Sequence, residues 1–168
     1  MKILICGLPG TGKTTLSKMI SENYHYFLIS DWDIFYQNRI SIKDYEDKNK
    51  ISEKYSNLLI KSLNKDNLVA DLEYSISPND FVKSKLDNVL IVYLGFVSVD
   101  EETLFNLFRK SKSNDKYTDK ELKEQIKFYK EMSLDYKSQC EQNNLKFFDV
   151  NTDRKIIFEE ILQKIKTF

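Results

Sequence analysis

Glycine is scarce in this 168-residue chain. There are four, and Gly7, Gly10 and Gly12 fall within six positions, with Gly95 standing apart. A chain that avoids glycine nearly everywhere else uses it there for a backbone turn that other residues make poorly. Net charge is lacking too, because 26 basic side chains balance 26 acidic ones. No overall field then draws in nucleic acid or an anionic membrane, and no basic stripe marks a polynucleotide groove. Cys6 and Cys140 are the only cysteines and follow no spacing pattern. They exclude a disulfide framework and predict reduced, buried thiols in a cytoplasmic protein. No apolar run approaches the roughly 20 residues of a membrane span, and no signal-peptide pattern precedes the glycines. Repeats, low-complexity tracts and linkers are missing as well. The length predicts one domain over residues 1–168, with a core of its own.

What is there begins with the glycines. Gly7-Leu8-Pro9-Gly10-Thr11-Gly12-Lys13-Thr14-Thr15 is a GxxxxGK[ST] loop. In that pattern the glycines let backbone N–H groups turn inward to cradle phosphates. The setting fits: Lys2–Cys6 reads as one buried strand, and Leu16, Met19 and Ile20 follow at helical spacing. The helix opening at Lys13 adds the positive end of its dipole. Lys13 is expected on the β- and γ-phosphates, and the Thr14 hydroxyl on Mg²⁺. Gly7, Gly10, Thr11, Gly12, Lys13, Thr14 and Thr15 are the predicted ATP-binding set. The bland reading is a glycine turn that binds nothing.

Strand and helix patterns alternate to the end of the chain. Strands are expected at Tyr26–Ser30, Leu68–Ala70, Val89–Leu94 and Leu145–Phe148. A helix over Lys13–Asn23 is joined by others marked by Ile51, Tyr55, Leu58, Leu59 and Leu63, by Leu104, Leu107 and Phe108, by Leu122, Ile126, Tyr129 and Tyr136, and by Ile157, Ile161, Leu162 and Ile165. Ser77-Pro78 reads as an N-cap with proline at the first helical position. Ser98 with Glu101, and Thr118 with Glu121, read as capping boxes. This alternation predicts an α/β protein with a P-loop NTPase fold: a five-stranded parallel sheet with helices on both faces.

In such sheets ligands bind beyond the carboxyl ends of the strands. Asp31 and Asp33 follow the second strand, and Asp71 and Glu73 the third. A carboxylate there can take the proton of an attacking hydroxyl or hold the magnesium shell. Asp31 is the expected base, with Asp33 and Asp71 beside the acceptor; the bland readings of Asp31 and Asp33 are a helix N-cap and a solvated neighbour. Residues 109–117 are polar and basic, and read either as a lid bringing Arg109 to the transferring phosphoryl group or as a solvated loop. Trp32, Phe35 and Tyr36 fit either stacking on an acceptor base or core packing. His25 lies away from the predicted site.

A GTPase would carry an NKxD motif, which is absent, and an ABC or AAA-type ATPase would need a longer chain and further motifs. What remains is a kinase moving the ATP γ-phosphate to a small nucleotide-like acceptor, without nucleic acid or membrane as partner. Rivals are a nucleoside, nucleotide or polynucleotide 5′-kinase and a non-catalytic ATP-binding module. Asp31 favours an enzyme, since a pure binder needs no base there.

Three stretches resemble the adenylylsulfate kinase family: Gly7–Thr14, near its GLSGSGKST; Asp31-Trp32-Asp33, at its DGD; and Ser75-Ile76-Ser77-Pro78, similar to its FISP. The resemblance covers roughly the first half of the chain. It implies ATP and Mg²⁺ at Gly7–Thr14 and transfer to a ribose 3′-hydroxyl oriented by Asp31. Asp33, Phe35, Arg39 and Ser77 would then line the acceptor pocket, in a protein that is commonly a dimer. Tyr36 stands where the family has arginine, the nearest being Arg39, and the 109–117 segment lacks the family's lid glycine. The implied acceptor is adenylylsulfate or a relative with a modified diphosphate, such as the cytidine diphosphoramidate used by a related kinase of capsule biosynthesis.

Overall fold

The structure, a computed structural model, describes residues 1–31, 33, 65–72, 77–79, 88–151 and 153–167. Five strands form one sheet: β1 (Lys2–Gly7), β2 (Phe27–Ser30), β3 (Leu68–Leu72), β4 (Val89–Gly95) and β5 (Lys146–Asp149). Their order is β2-β3-β1-β4-β5, and every pairing is parallel. The apolar sequences of β1, β3 and β4 suit strands covered on both faces. Among the described residues the long helices are α1 (Lys13–Tyr24), α2 (Glu101–Arg109), α3 (Asp119–Gln142) and α4 (Arg154–Thr167). The helix expected over Ile51–Leu63 lies outside the described residues, as do Trp32, Phe35, Tyr36, Arg39, Glu73, Ser75 and Ile76.

Alternation along the strands separates two cores. Ile3, Ile5, Val69, Val92 and Leu94 share a cluster with Leu16 and Ile20 of α1 and Phe158, Ile161 and Ile165 of α4. Leu4, Cys6, Ala70, Leu72 and Tyr93 cluster instead with Tyr136 and Cys140 of α3. The Tyr93 and Tyr136 rings meet edge to face at 5.6 Å. Both cysteines are free and buried, as expected.

Outside the loop, the chain manages its turns without glycine. His25, Asn67, Asn88 and Asn144 take φ between 52° and 58°, one or two residues ahead of β2, β3, β4 and β5. Asparagine tolerates this left-handed conformation better than most residues with a Cβ. His25 ends α1, its backbone N–H donating to the Ser21 carbonyl.

The caps differ in one place from expectation. Thr118 and Glu121 form the reciprocal capping box of α3. At α2 the cap is Asp100, not Ser98: its side chain accepts from the Thr103 N–H at 2.8 Å. Ser98 instead donates its own N–H to Asp149 at the end of β5.

Candidate active site

The loop between β1 and α1 is shaped by its glycines. Gly7, Gly10 and Gly12 have φ of 142°, 80° and 92°. A Cβ on Gly7 would stand 2.2 Å from the Leu94 carbonyl oxygen of β4, so the backbones touch where a side chain cannot fit. Cβ atoms on Gly10 and Gly12 would each meet a phenylalanine ring at 2.7 Å, Phe108 of α2 and Phe158 of α4. Two rings thus clamp the loop from outside. Neither was singled out for this in the sequence, where Phe108 read only as a helix-face residue and Phe158 was not marked. Beside Phe158, the Cδ and Nη1 of Arg154 approach the Gly12 position to 3.5 Å.

The Leu8 carbonyl ties the loop from inside. It accepts from the Thr11 N–H at 3.3 Å, the Thr11 hydroxyl at 2.8 Å and Lys13 Nζ at 3.0 Å. Thr11 is fully buried and so shapes the loop, while Thr14 and Thr15 are exposed at the start of α1. Lys13 is also buried, its ammonium folded back over the turn.

Asp71 closes the other side. It lies within β3, beside Ile5 of β1 and Ser30 of β2, and its Oδ2 accepts from Thr14 Oγ1 at 2.6 Å. The sequence grouped Asp71 with the acceptor; the structure joins it to the loop threonine. Two hard oxygens, one of them a carboxylate, form a donor set suited to Mg²⁺.

Asp31 follows β2 directly and is 1 % exposed. It and Lys13 both act on the Cys6 thiol at the end of β1. Burial pushes that thiol well above its ordinary range, the Asp31 charge pushes it further, and Lys13 partly opposes them. Asp31 and Lys13 therefore converge on one corner of the sheet. Asp33 is exposed and turns back to Ser30, accepting from its N–H and its hydroxyl, each at 2.7 Å.

Arg109 and the Ser77 segment make contacts with other parts of the chain. Arg109 donates through Nη1 to the Asn114 and Tyr117 carbonyls, at 3.3 and 2.9 Å, and pairs with Asp119. It is the clasp of the 110–118 segment, which contains a short 3₁₀ turn at Lys112–Asn114. Ser77 precedes the helical Pro78 and Asn79, as an N-cap should. Asn79, however, bonds Gln139 and Asn143 at the end of α3 from which β5 departs. That contact draws the segment towards the edge of the sheet opposite the loop. Phe35 and Arg39 lie outside the described residues. Among those residues, no helix is long and apolar enough to cross a membrane.

Comparison with known proteins agrees with this geometry. A family model, AAA_18, described as an AAA domain, matches residues 3–128. A stretch of 59 residues is 42 % identical to an adenylate kinase of Buchnera aphidicola subsp. Schizaphis graminum, covering 35 % of this chain and 25 % of that protein. Another, of 35 residues, is 51 % identical to a cytidylate kinase of Methanosarcina barkeri, covering 21 % of this chain and 19 % of that one. The chain thus spans between 19 % and 28 % of the curated relatives it matches. Among solved structures, shikimate kinase from Bacteroides thetaiotaomicron is similar with a TM-score of 0.68 at 19 % identity, over 99 % of this chain and 97 % of that one. Deoxyadenosine kinase from M. mycoides with bound dATP is similar at 0.60 and 19 %, over 99 % and 100 %. These likenesses show the P-loop fold.

Proposed function

The chain belongs to the AAA_18 family of AAA domains, and from that premise we propose that it is an ATP-dependent kinase acting on a small nucleotide-like acceptor. One observation carries the reading: a buried carboxylate, Asp31, at the strand end next to the phosphate loop. Burying a carboxylate is costly, and such groups concentrate where chemistry uses them. Loop N–H groups and Lys13 hold the phosphates, with Lys13 leaving the Leu8 carbonyl to reach them. Asp31 accepts, or at least orients, the proton of the attacking hydroxyl. Thr14 and Asp71 would hold Mg²⁺, which when bound neutralises charge on the phosphate oxygens. The names of these relatives and fold neighbours, adenylate, cytidylate, shikimate and deoxyadenosine kinases, support the same class.

The favoured acceptor group is a hydroxyl, the ribose 3′-OH if the resemblance to adenylylsulfate kinases holds. Adenylylsulfate and cytidine diphosphoramidate are its named forms. A second reading, a nucleoside monophosphate kinase, is favoured by the adenylate kinase stretch. There the attacking phosphate oxygen is already ionised and needs no base, and the charge on Asp31 would oppose it.

The test is ADP release from ATP with a panel of nucleosides, nucleoside monophosphates, adenylylsulfate and CDP derivatives, in the wild type and in Lys13→Ala. Acceptor-stimulated release that disappears in a folded Lys13→Ala protein is expected. Release that no acceptor stimulates would make this an ATPase or a binding module instead.

A further inference from the structure

We propose that Arg154 is a nucleotide ligand: its guanidinium, beside Gly12, takes the negative charge of the phosphate chain that the loop holds. This rests on the reading of the loop as an ATP site and adds to it a cation from the far end of the chain. Arginine occurs three times in the sequence, at positions 39, 109 and 154. Arg109 is engaged by three acceptors in its own segment. Arg39 lies outside the described residues. Arg154 is the arginine that the structure sets against the loop, with Cδ and Nη1 3.5 Å from the place of a Gly12 Cβ.

Its surroundings are unfavourable for a cation unless an anion arrives. Arg154 is the first residue of α4, where the helix dipole is positive and an arginine is disfavoured. The first turn of α4 contains no acid. The neighbouring Asp153 accepts from the Lys155 N–H instead, and among the described residues Arg154 has neither an ion pair nor a hydrogen bond. The side chain is half-buried, and this burial lowers its pKa. A half-desolvated guanidinium at the positive end of a helix is a destabilised group in the free protein. A phosphate chain at Gly12 supplies the charge it lacks, and a guanidinium matches phosphate oxygens with two parallel donors. A Cβ at Gly12 would press on Phe158 and stand in van der Waals contact with Arg154.

The experiment is calorimetric titration of MgATP and MgADP into the wild type, Arg154→Gln and Arg154→Lys, with thermal unfolding of each free protein. In Arg154→Gln both dissociation constants should rise about tenfold or more, the scale of a charge-assisted hydrogen bond. Arg154→Lys keeps the charge and should lie between the two. The unfolding temperature without nucleotide should be unchanged or higher in Arg154→Gln, because an uncompensated cation is removed. A structural arginine would instead lower it and leave the affinities alone, which overturns the proposal. So does an Arg154→Lys protein as weak as Arg154→Gln, since charge would then not be the contact. If the wild type binds no ATP, the kinase reading falls first and this one with it. If the wild type binds and Arg154→Gln binds equally well, only this one falls.

Discussion

Thr14 Oγ1 donates to Asp71 Oδ2 across 2.6 Å, joining the first turn of α1 to β3. The bond spans two elements that pair with or follow the same strand, β1, so the sheet itself sets the distance. A hydroxyl and a carboxylate held this close offer a divalent cation two oxygens without rearrangement of the backbone.

If Mg²⁺ uses this pair, its loss should appear as a metal requirement rather than as a folding defect. Asp71→Asn and Thr14→Val should each raise the Mg²⁺ concentration for half-maximal turnover by about ten- to a hundredfold. Thr14→Ser, which keeps the hydroxyl, should stay near the wild type. Turnover measured against Mg²⁺ at saturating ATP decides it, and an unchanged metal dependence in Asp71→Asn removes the assignment.

Gly7 should tolerate no side chain. Its φ of 142° is one that L-residues rarely adopt, and its Cβ would lie 2.2 Å from a backbone oxygen that β4 holds in place. Gly7→Ala should lose about 3 kcal/mol or more of stability, from strain and overpacking together. Gly10→Ala presses only on the Phe108 ring, which can shift, and should lose less. Urea unfolding of the two variants gives the comparison, and equal losses would mean that the β4 backbone yields as easily as the ring.

The buried thiols give the protein a pH dependence on the alkaline side. Burial pushes Cys140 up to about 12 and Cys6 well above its ordinary range. In the unfolded chain both ionise near about 8.5. Below that value the folded and unfolded states are equally protonated and the thiols contribute nothing. Above it the unfolded state releases protons that the folded state keeps, so stability falls as pH rises. Unfolding at pH 8 and pH 10 should show this fall, and it should shrink in Cys6→Ala/Cys140→Ala. A double variant with the same pH slope would show that other groups cause it. Neither thiol should react with iodoacetamide in the folded protein at pH 8.

The strands and their parallel arrangement were legible because apolar runs such as Val89–Leu94 are short, β-branched and bounded by turn residues. The loop was legible because glycine is spent almost nowhere else. The left-handed residues at His25, Asn67, Asn88 and Asn144 were not. The visible signal, a polar residue just ahead of an apolar run, is shared by ordinary loops. Asp71 was placed at the strand end, but its bond to Thr14 was not foreseen, since a residue's strand says nothing of which side chain reaches across to it. Arg109 shows the opposite limit. A basic residue before a lysine-rich segment reads as a cation for the site, and nothing in that pattern shows its bonds to the carbonyls five and eight residues on. Arg154 gave no signal, because only the fold brings it beside Gly12, more than a hundred residues earlier.

Asp31 should be the residue whose loss harms chemistry more than nucleotide binding. It is 1 % exposed, follows β2 directly, and shares the Cys6 corner with Lys13. Asp31→Asn keeps the size and one accepting oxygen but removes the charge. If Asp31 takes the acceptor's proton, turnover should fall by about two to four orders of magnitude, the scale of general-base catalysis. The affinity for MgATP should change far less, because the loop and the Thr14–Asp71 pair hold the nucleotide. Steady-state kinetics and ATP titration therefore read two sides of one substitution. Full turnover in Asp31→Asn, beside lost turnover in Asp71→Asn, would move the base from β2 to β3. A large loss of MgATP affinity would instead make Asp31 part of the metal's surroundings.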